Sequence, residues 1–592
     1  VLRNLNYTRL ADLFLSVNDL TFGWIDYSFL VTMLSISAFV GVYFGFFAKK
    51  QETTTDYLLG GKTMSYFPIA MSITASHSSG NTLLGIPSEA YQYGSQYAAC
   101  IVTTTLTGLL TIYIFLPVFH KLQLTSTFEY LEVRFTRPVR LFSSVVYTIS
   151  LILQTPIVVY APALALAQVT GFGLHYIAPL ICTVCIFYTT VGGLKALVWT
   201  DTIQFVVTIF ALFTVLILGV ISVGGFGEIW RISGESGRLI FFNLDPSPFA
   251  RLTFWGMTIG LTSTWAATIS VNQSCMQRFL AVPNISGAKK SIVITCVGLI
   301  VVKCLSVFTG LIMYAKYHDC DPISTHAVNR ADQLVPYYVM DVTGNIPGLP
   351  GLFLAALVSA ALSSMSGGLN TAAGTIWEDF ISPWVPESET KQKTATKIMK
   401  ITVVLLGILC VVLVFIVEHM GEIFAMSTSM QGVTSGTIAG LYTLGVLIPW
   451  ANGKGAVIGG IMGFVTSTWI IIGAQIHKIN GTLRYEPLPT STDNCSYPLN
   501  MTDWTRPPLP PIKPEEEPMI LYTVSFLYYS FIGFVTVVTC GTIASFLTGA
   551  SDLNELNRDH FSPIVQRFKY TEVPMEIMPT IPSSLDKEKE AM

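Results

Sequence analysis

Charge is what this sequence has least of. Asp, Glu, Lys and Arg make up only 12% of its 592 residues, where a soluble domain carries about 25%. That excludes an ordinary soluble domain and a charge-rich disordered chain. The net charge is −3, and no basic arm or aromatic–basic pattern is present, which argues against nucleic-acid binding. Histidine is also scarce, with 8 residues. No Cys/His ligand spacing and no Ser/His/Asp constellation appear, so a membrane enzyme is disfavoured. A cleavable signal peptide is missing too, because the first residues, VLRNLNYTRLADLF, are polar and mixed. They lack an initiator Met, as expected of a fragment.

Apolar residues take the place of charge. They form 51% of the chain and cluster in about thirteen stretches near the ~20 residues a helix needs to cross a bilayer. These are 22–47, 66–93, 96–119, 140–170, 174–191, 199–224, 253–279, 290–315, 350–378, 396–418, 421–449, 455–475 and 519–547. The expectation is an all-α polytopic membrane protein embedded in lipid.

Lys and Arg set its orientation. With the N-terminus (1–21) outside, Lys49, Lys50, Lys62, Lys121, Arg134, Arg137, Arg140, Lys195, Arg278, Lys289, Lys290, Lys391, Lys393, Lys397, Lys400 and Lys454 fall inside. The tail 548–592 is then cytoplasmic. Four glycosylation sequons, at Asn6, Asn480, Asn494 and Asn500, share the outer side. Those at Asn272 and Asn284 fall in or under the membrane and should stay unused. The stretch 476–518, containing RPPLPPIKPEEEP, reads as an extended outer loop, and 225–252 as another. Eight of the ten cysteines lie in or near spans. Cys320 and Cys495 lie in outer loops, where a disulfide and two free thiols both fit.

Three segments carry polar chemistry at membrane depth. In FYTTVGGLKALVWTDTIQ (187–204), a glycine pair and Lys195 mark a tight turn between two apolar runs. Asp201 and Gln204 follow, one helical turn apart. A carboxylate there faces water, a cation or another helix, or caps a helix N-terminus. The second span holds Ser76-His77-Ser78-Ser79-Gly80-Asn81-Thr82, then Gly85 and Pro87. Small-residue packing explains the serines and Gly80. An unwound helix whose free carbonyls bind an ion explains Asn81 and Pro87 as well. The ninth span repeats Ser359, Ser363, Ser366 and Asn370 at helical spacing, with Ser364 beside them. These hydroxyls fit close packing, or an alkali cation bound by hard oxygens without a carboxylate. The seventh span is interrupted at 261–268 and again at Asn272-Gln273. It stands five spans after the first interruption, which points to inverted repeats over 66–224 and 253–449. Lys303 and His77 are lone mid-span groups with no assigned role.

The segments GIPSEAYQYG (85–94), LTSTFEYLEVRFTRPVRL (124–141), YAPALALAQVTG (160–171), FYTTVGGLKALVWTDTIQ (187–204), VNQSCMQRFLA (271–281), DCDPI (319–323) and GLYTLGVLIPWANGKGA (440–456) resemble the signature segments of the solute:sodium symporter family. The resemblance covers about 25–545. It is greatest for the branch of sodium-coupled monocarboxylate, multivitamin and iodide transporters. It implies a leucine-transporter-like core of two inverted five-helix repeats, flanked by the helices 22–47, 455–475 and 519–547. It also implies sodium as the co-transported ion, a plasma-membrane location and alternating access.

Residue by residue, the resemblance implies sodium ligands at Ala75, Ser78, Ala360, Ser363 and Ser364. It puts Asp201 near the inner cation exit. Substrate-lining positions are Thr82, Ile86, Thr104, Trp265, Ser427 and Thr428. Two positions depart from relatives. Gly367 stands where some carry a hydroxyl for a second sodium. Thr82 stands where iodide carriers have a Gln that touches the anion. No fixed cation is evident in the pocket, so half-helix N-termini and bound sodium are expected to hold a small organic anion. Symport of iodide, sugar or choline, and a sodium-dependent sensor or leak channel, are the alternatives on the same fold.

Overall fold

The structure is a computed structural model. It describes residues 22–43, 47, 62–124, 126–344, 346–386, 391–418, 422–493, 495, 517–552 and 556–569. The expected sites at Asn6, Asn494 and Asn500, and Lys49 and Lys50, lie outside the described residues. No strand occurs among the described residues. Among the described residues, ten helical stretches are long and apolar enough to cross a membrane. They begin at residues 24, 95, 137, 174, 197, 285, 349, 393, 453 and 526.

The helices that position the site are α1 (Trp24–Val42), α2 (Tyr66–His77), α3 (Ile86–Tyr93), α4 (Cys100–Leu110), α5 (Arg137–Thr170) and α6 (Leu174–Val223). After them come α7 (Gln273–Leu280), α8 (Ile285–Tyr317), α9 (Leu349–Ile376) and α10 (Ile423–Leu447). The last two are α11 (Gly453–Ile479) and α12 (Tyr529–Leu547). The polar stretches behave differently from the ten. The 66–93 and 253–280 stretches are broken into short helices, and α10 is rich in Ser, Thr and Gly.

Both breaks have local causes. α2 ends where Ser78 leaves helical geometry (φ −101°, ψ 61°). The chain resumes through a π-helical turn, Asn81–Gly85, into α3, with Pro87 in the first turn of α3. Gly80 fits there because a Cβ would lie 2.6 Å from the Cβ of Ala161 on α5. In the second interrupted segment, π-helical turns occupy Gly256–Leu261 and Ala266–Ser270. Within the expected 261–268 the chain stays helical or π-helical, and the break falls at Val271-Asn272, at the second expected interruption, Asn272-Gln273. Asn272 then caps α7, its side chain accepting from the N–H groups of Ser274 and Cys275.

α6 remains helical through the glycine pair where a tight turn is expected. Its 50 residues, if straight, would run about 75 Å. They do not. The Tyr188 hydroxyl donates to the Leu362 carbonyl and the Thr208 hydroxyl to that of Ala356. Those acceptors are about 9 Å apart along α9, whereas Tyr188 and Thr208 would be about 30 Å apart on a straight helix. The helix therefore bends sharply between them, and its two halves both pack on α9.

Small residues bring the other helices close. A Cβ at Gly459 on α11 would meet the Gly541 backbone of α12 at 2.7 Å. α9 is anchored by α1: the Asp26 carboxylate accepts from the Gly348 and Gly351 N–H groups at 3.1 and 2.9 Å. That satisfies orphan donors at the α9 N-terminus and complements its dipole.

Ion pairs tie the two ends. At one end Arg251 forms a two-pronged pair with Glu89, both contacts 2.8 Å, and reaches Glu422 at 3.0 Å. The same end carries the segment leading to Cys495, whose sulfur is bonded to that of Cys320. At the other end Arg140 pairs with Asp379 and Glu132. There Arg134, one of the cations expected on the inner side, is buried. It donates to the carbonyls of Gly445, Ile448, Pro449 and Ala451 at the end of α10.

Candidate functional site

The break after α2 lies against the middle of α9. Ala75, Ser78, Ala360 and Ser363 line one small cleft with Gln204, Phe205 and Thr208 from α6. Four of the five expected sodium ligands thus meet at one place. The fifth, Ser364, is turned along α9: its hydroxyl donates to the Ser76 carbonyl at 2.7 Å and the Ala360 carbonyl at 3.0 Å. It clamps α2 to α9 beside the cleft. Ser359 is buried one turn earlier.

The cleft suits a dehydrated monovalent cation. Its lining offers hydroxyls, carbonyls and an amide, and contains no carboxylate. One amide oxygen there is orphaned: Gln204 donates through Nε2 to Ser37 at 2.8 Å, while its buried Oε1 has no partner. A buried acceptor without a donor is costly, and a cation would satisfy it.

Asp201 is fully buried and connects to this cleft. Its Oδ2 accepts from Ser72 at 2.8 Å and from Ser76 at 3.4 Å. Ser76 in turn shares a hydrogen bond with Ser363 at 3.2 Å. Behind them stands Arg278 of α7. Its Nη1 donates to the Ser72 carbonyl and the Ser76 hydroxyl, and lies 3.7 Å from Asp201 Oδ2. Two broken helices, α9 and α6 therefore share one polar chain, Arg278–Asp201–Ser76–Ser363. Arg278, expected at the inner side at the end of the 253–279 stretch, is only 2% exposed. Its guanidinium also explains Gly367: a Cβ there would lie 2.8 Å from Arg278 Nη2.

The expected substrate positions are less concentrated. Thr82, Ile86, Thr104, Ser427 and Thr428 are buried, and Trp265 is half-buried. Ile86 packs in one apolar cluster with Phe424 and Leu261, and Trp265 lies against it. The Thr82 hydroxyl donates to the His77 carbonyl at 3.4 Å, and that of Thr428 to the Phe424 carbonyl at 3.0 Å. Ser427 faces α5 through its carbonyl, which accepts from Gln154 at 3.3 Å. A separate, more polar cavity lies at the second break, lined by Tyr147, Thr268, Asn272, Gln431 and Thr434 among others. Sequence reasoning missed Ser72, Arg278 and Gln204 Oε1 as partners of the cleft. Only the four-residue spacing of Ser72 and Ser76, which puts them on one helix face, hinted at the first.

An interrupted helix packed on a continuous one around a hydroxyl- and carbonyl-lined cleft, with a second interrupted helix and a buried carboxylate behind it, defines a secondary transporter of the broken-helix type. Residues 57–463 match the Sodium:solute symporter family. The chain is 39% identical over 539 residues to sodium-coupled monocarboxylate transporter 1 of Mus musculus, covering 89% of this chain and 88% of that one. It is 35% identical over 537 residues to the sodium-dependent multivitamin transporter of Oryctolagus cuniculus, covering 89% and 83%. The solved outward-open, substrate-bound structure of a Na+-coupled sialic acid symporter superposes with a TM-score of 0.73 at 24% identity, covering 90% of this chain and 99% of that one. The chain belongs to the sodium:solute symporter family. It is a sodium-coupled transporter, not an enzyme, and sodium is the ion it carries.

Proposed function

We propose that this transporter imports a small organic anion, a monocarboxylate or carboxylate vitamin, with sodium across the plasma membrane by alternating access. The observation that carries the reading is the cation cleft of Ala75, Ser78, Ala360 and Ser363, made by the α2 break and α9. A cation there bridges a broken helix to a continuous one. Binding it favours the arrangement in which the two are packed, so ion occupancy shapes the neighbouring solute cavity. On release, Ser76 and Asp201 offer the ion its next oxygens. Each sodium entering gains about 2.3 kcal/mol per 100 mV, enough for roughly tens-fold solute accumulation.

In this reading the core is two inverted repeats, 66–224 and 253–449, within about thirteen spans. Thr82, Ile86, Thr104, Trp265, Ser427 and Thr428 line the solute path. The N-terminus is outside and the tail inside. The Glu89–Arg251–Glu422 cluster, on the end that carries the Cys320–Cys495 bond, then closes the outer side. The Arg140–Asp379 pair closes the inner one. The substrate class is supported by the names of the relatives, which are monocarboxylate and multivitamin transporters.

Uptake of labelled lactate, pyruvate, nicotinate, biotin, pantothenate, iodide, glucose and choline, with and without sodium, tests this. Concentrative, sodium-dependent uptake of at least one carboxylate is expected. Uptake of glucose or choline alone, or a sodium current with no concentrated solute, refutes it.

A further inference from the structure

One charged group in the membrane has no place in the chemistry above. Lys303 stands in the middle of α8, eighteen residues after its start at Ile285 and fourteen before its end at Tyr317. Only 1% of it is exposed, and its Nζ has no hydrogen-bond partner. No carboxylate pairs with it among the described residues. Asp201 faces Arg278, Glu89 faces Arg251, and Asp379 faces Arg140. Mid-span burial also prevents the side chain from reaching the interface, as lysines near helix ends do.

Its nearest company is an aromatic face. The Lys303 Nζ lies 3.4 Å from the centre of the Trp265 ring. A cation over an indole is stabilised by the ring quadrupole, but its N–H donors stay unsatisfied. A second unsatisfied group sits on the neighbouring helix. α4 packs on α8, where a Cβ at Gly108 would lie 2.7 Å from Cys296 Sγ. Thr104 stands one turn before Gly108 on α4. Thr104 is fully buried, and its hydroxyl also has no partner. An ammonium of α8 and an indole of the interrupted seventh span thus meet, and the helix packed beside them carries a second unsatisfied donor.

We propose that Lys303 is the fixed cation that selects the substrate carboxylate, with Thr104 donating to the second oxygen and Trp265 packing the apolar body. The assignment rests on the carboxylate-import reading and deepens it. Unpaired charge at this depth is costly and marks a functional position. An incoming carboxylate supplies the counter-charge and the missing acceptors together. Neutral sugars leave the ammonium uncompensated, and choline is repelled by it. The site is separate from the sodium cleft, whose lining comes from α2, α6 and α9.

The test compares acid and amide isosteres, lactate with lactamide and nicotinate with nicotinamide, in cells expressing the full chain. Wild type, Lys303→Met and Lys303→Arg are assayed, with uptake scaled to surface protein and iodide as a further arm. Wild type should prefer each acid to its amide by about tenfold or more. Lys303→Met should raise the half-saturating acid concentration about tenfold and bring the acid-to-amide ratio close to one. Lys303→Arg should keep the preference, and half-activation by sodium should move less than about twofold in either variant.

Equal wild-type transport of acid and amide overturns the assignment, and does so without any variant. So does Lys303→Met with affinity and preference intact, or Lys303→Arg at the surface with the preference lost. Wild-type uptake of iodide, glucose or choline with no carboxylate taken up overturns the import reading and this role together.

Discussion

Ser363→Ala tests the cation cleft most directly. Ser363 is fully buried, lines the cleft and hydrogen-bonds Ser76 at 3.2 Å. Alanine removes one oxygen from a set built of Ala75, Ser78, Ala360, Ser363 and the orphaned Gln204 amide. It leaves the backbone carbonyls and the helix packing in place. Losing one buried polar partner costs about 1–3 kcal/mol. That corresponds to roughly a five- to hundred-fold rise in the sodium concentration for half-maximal transport.

The assay is substrate-coupled current against external sodium at saturating substrate, scaled to surface protein. Ser364→Ala should also weaken sodium dependence. There the structure assigns the loss to the clamp on Ser76 rather than to the lining, so reduced surface expression should accompany it. Ser359→Ala should do much less. Unchanged sodium dependence in both Ser363→Ala and Ser364→Ala would refute the placement of the ion.

Asp201→Asn should reduce the folded, surface-exposed protein, because it strands the buried Arg278 charge. Breaking a buried pair costs about 3–5 kcal/mol, and surface labelling reads the loss; normal surface levels argue against a stabilising role. Gly351→Ala should lower the melting temperature of purified protein, since a Cβ there would come within 2.4 Å of the Asp26 backbone. Gly368→Ala on the same helix meets nothing nearer than 3.5 Å and serves as the tolerated control. Peptide mapping without reductant should recover Cys320 linked to Cys495, and alkylation of both in unreduced protein would contradict the bond. Glycosidase treatment should remove a glycan from Asn480, which is exposed at the end of α11. A C-terminal tag reached by antibody in intact cells would overturn the orientation.

Much of the site was legible because membrane burial penalises polar atoms so heavily. A run such as Ser76–Thr82 within an apolar span has few uses, and it lies beside the break that forms the cleft. The same reasoning located the hydroxyls of α9. It did not show the partners of cations at the ends of spans. Arg278 and Arg134 lie in short helices and read as inner-side cations. In the fold the first lies behind Asp201, and the second caps the carbonyl end of α10. The glycine pair near Lys195 also read as a turn. The backbone there stays helical and bends, because both halves of α6 must reach α9.

The sequence alone determined which segments are apolar enough to enter a bilayer and roughly where two of them break. Hydropathy, proline and glycine act locally, and lipid leaves few alternatives for an unpaired backbone. The tertiary structure decided which polar groups meet. Ser76 and Ser363 are separated by 287 positions, and Ser72 and Asp201 by 129. Lys303 reads as a lone residue until α8 turns it onto the Trp265 ring. Such encounters depend on helix rotation and register, set by close packing of many small side chains across the bundle. No single segment encodes that packing.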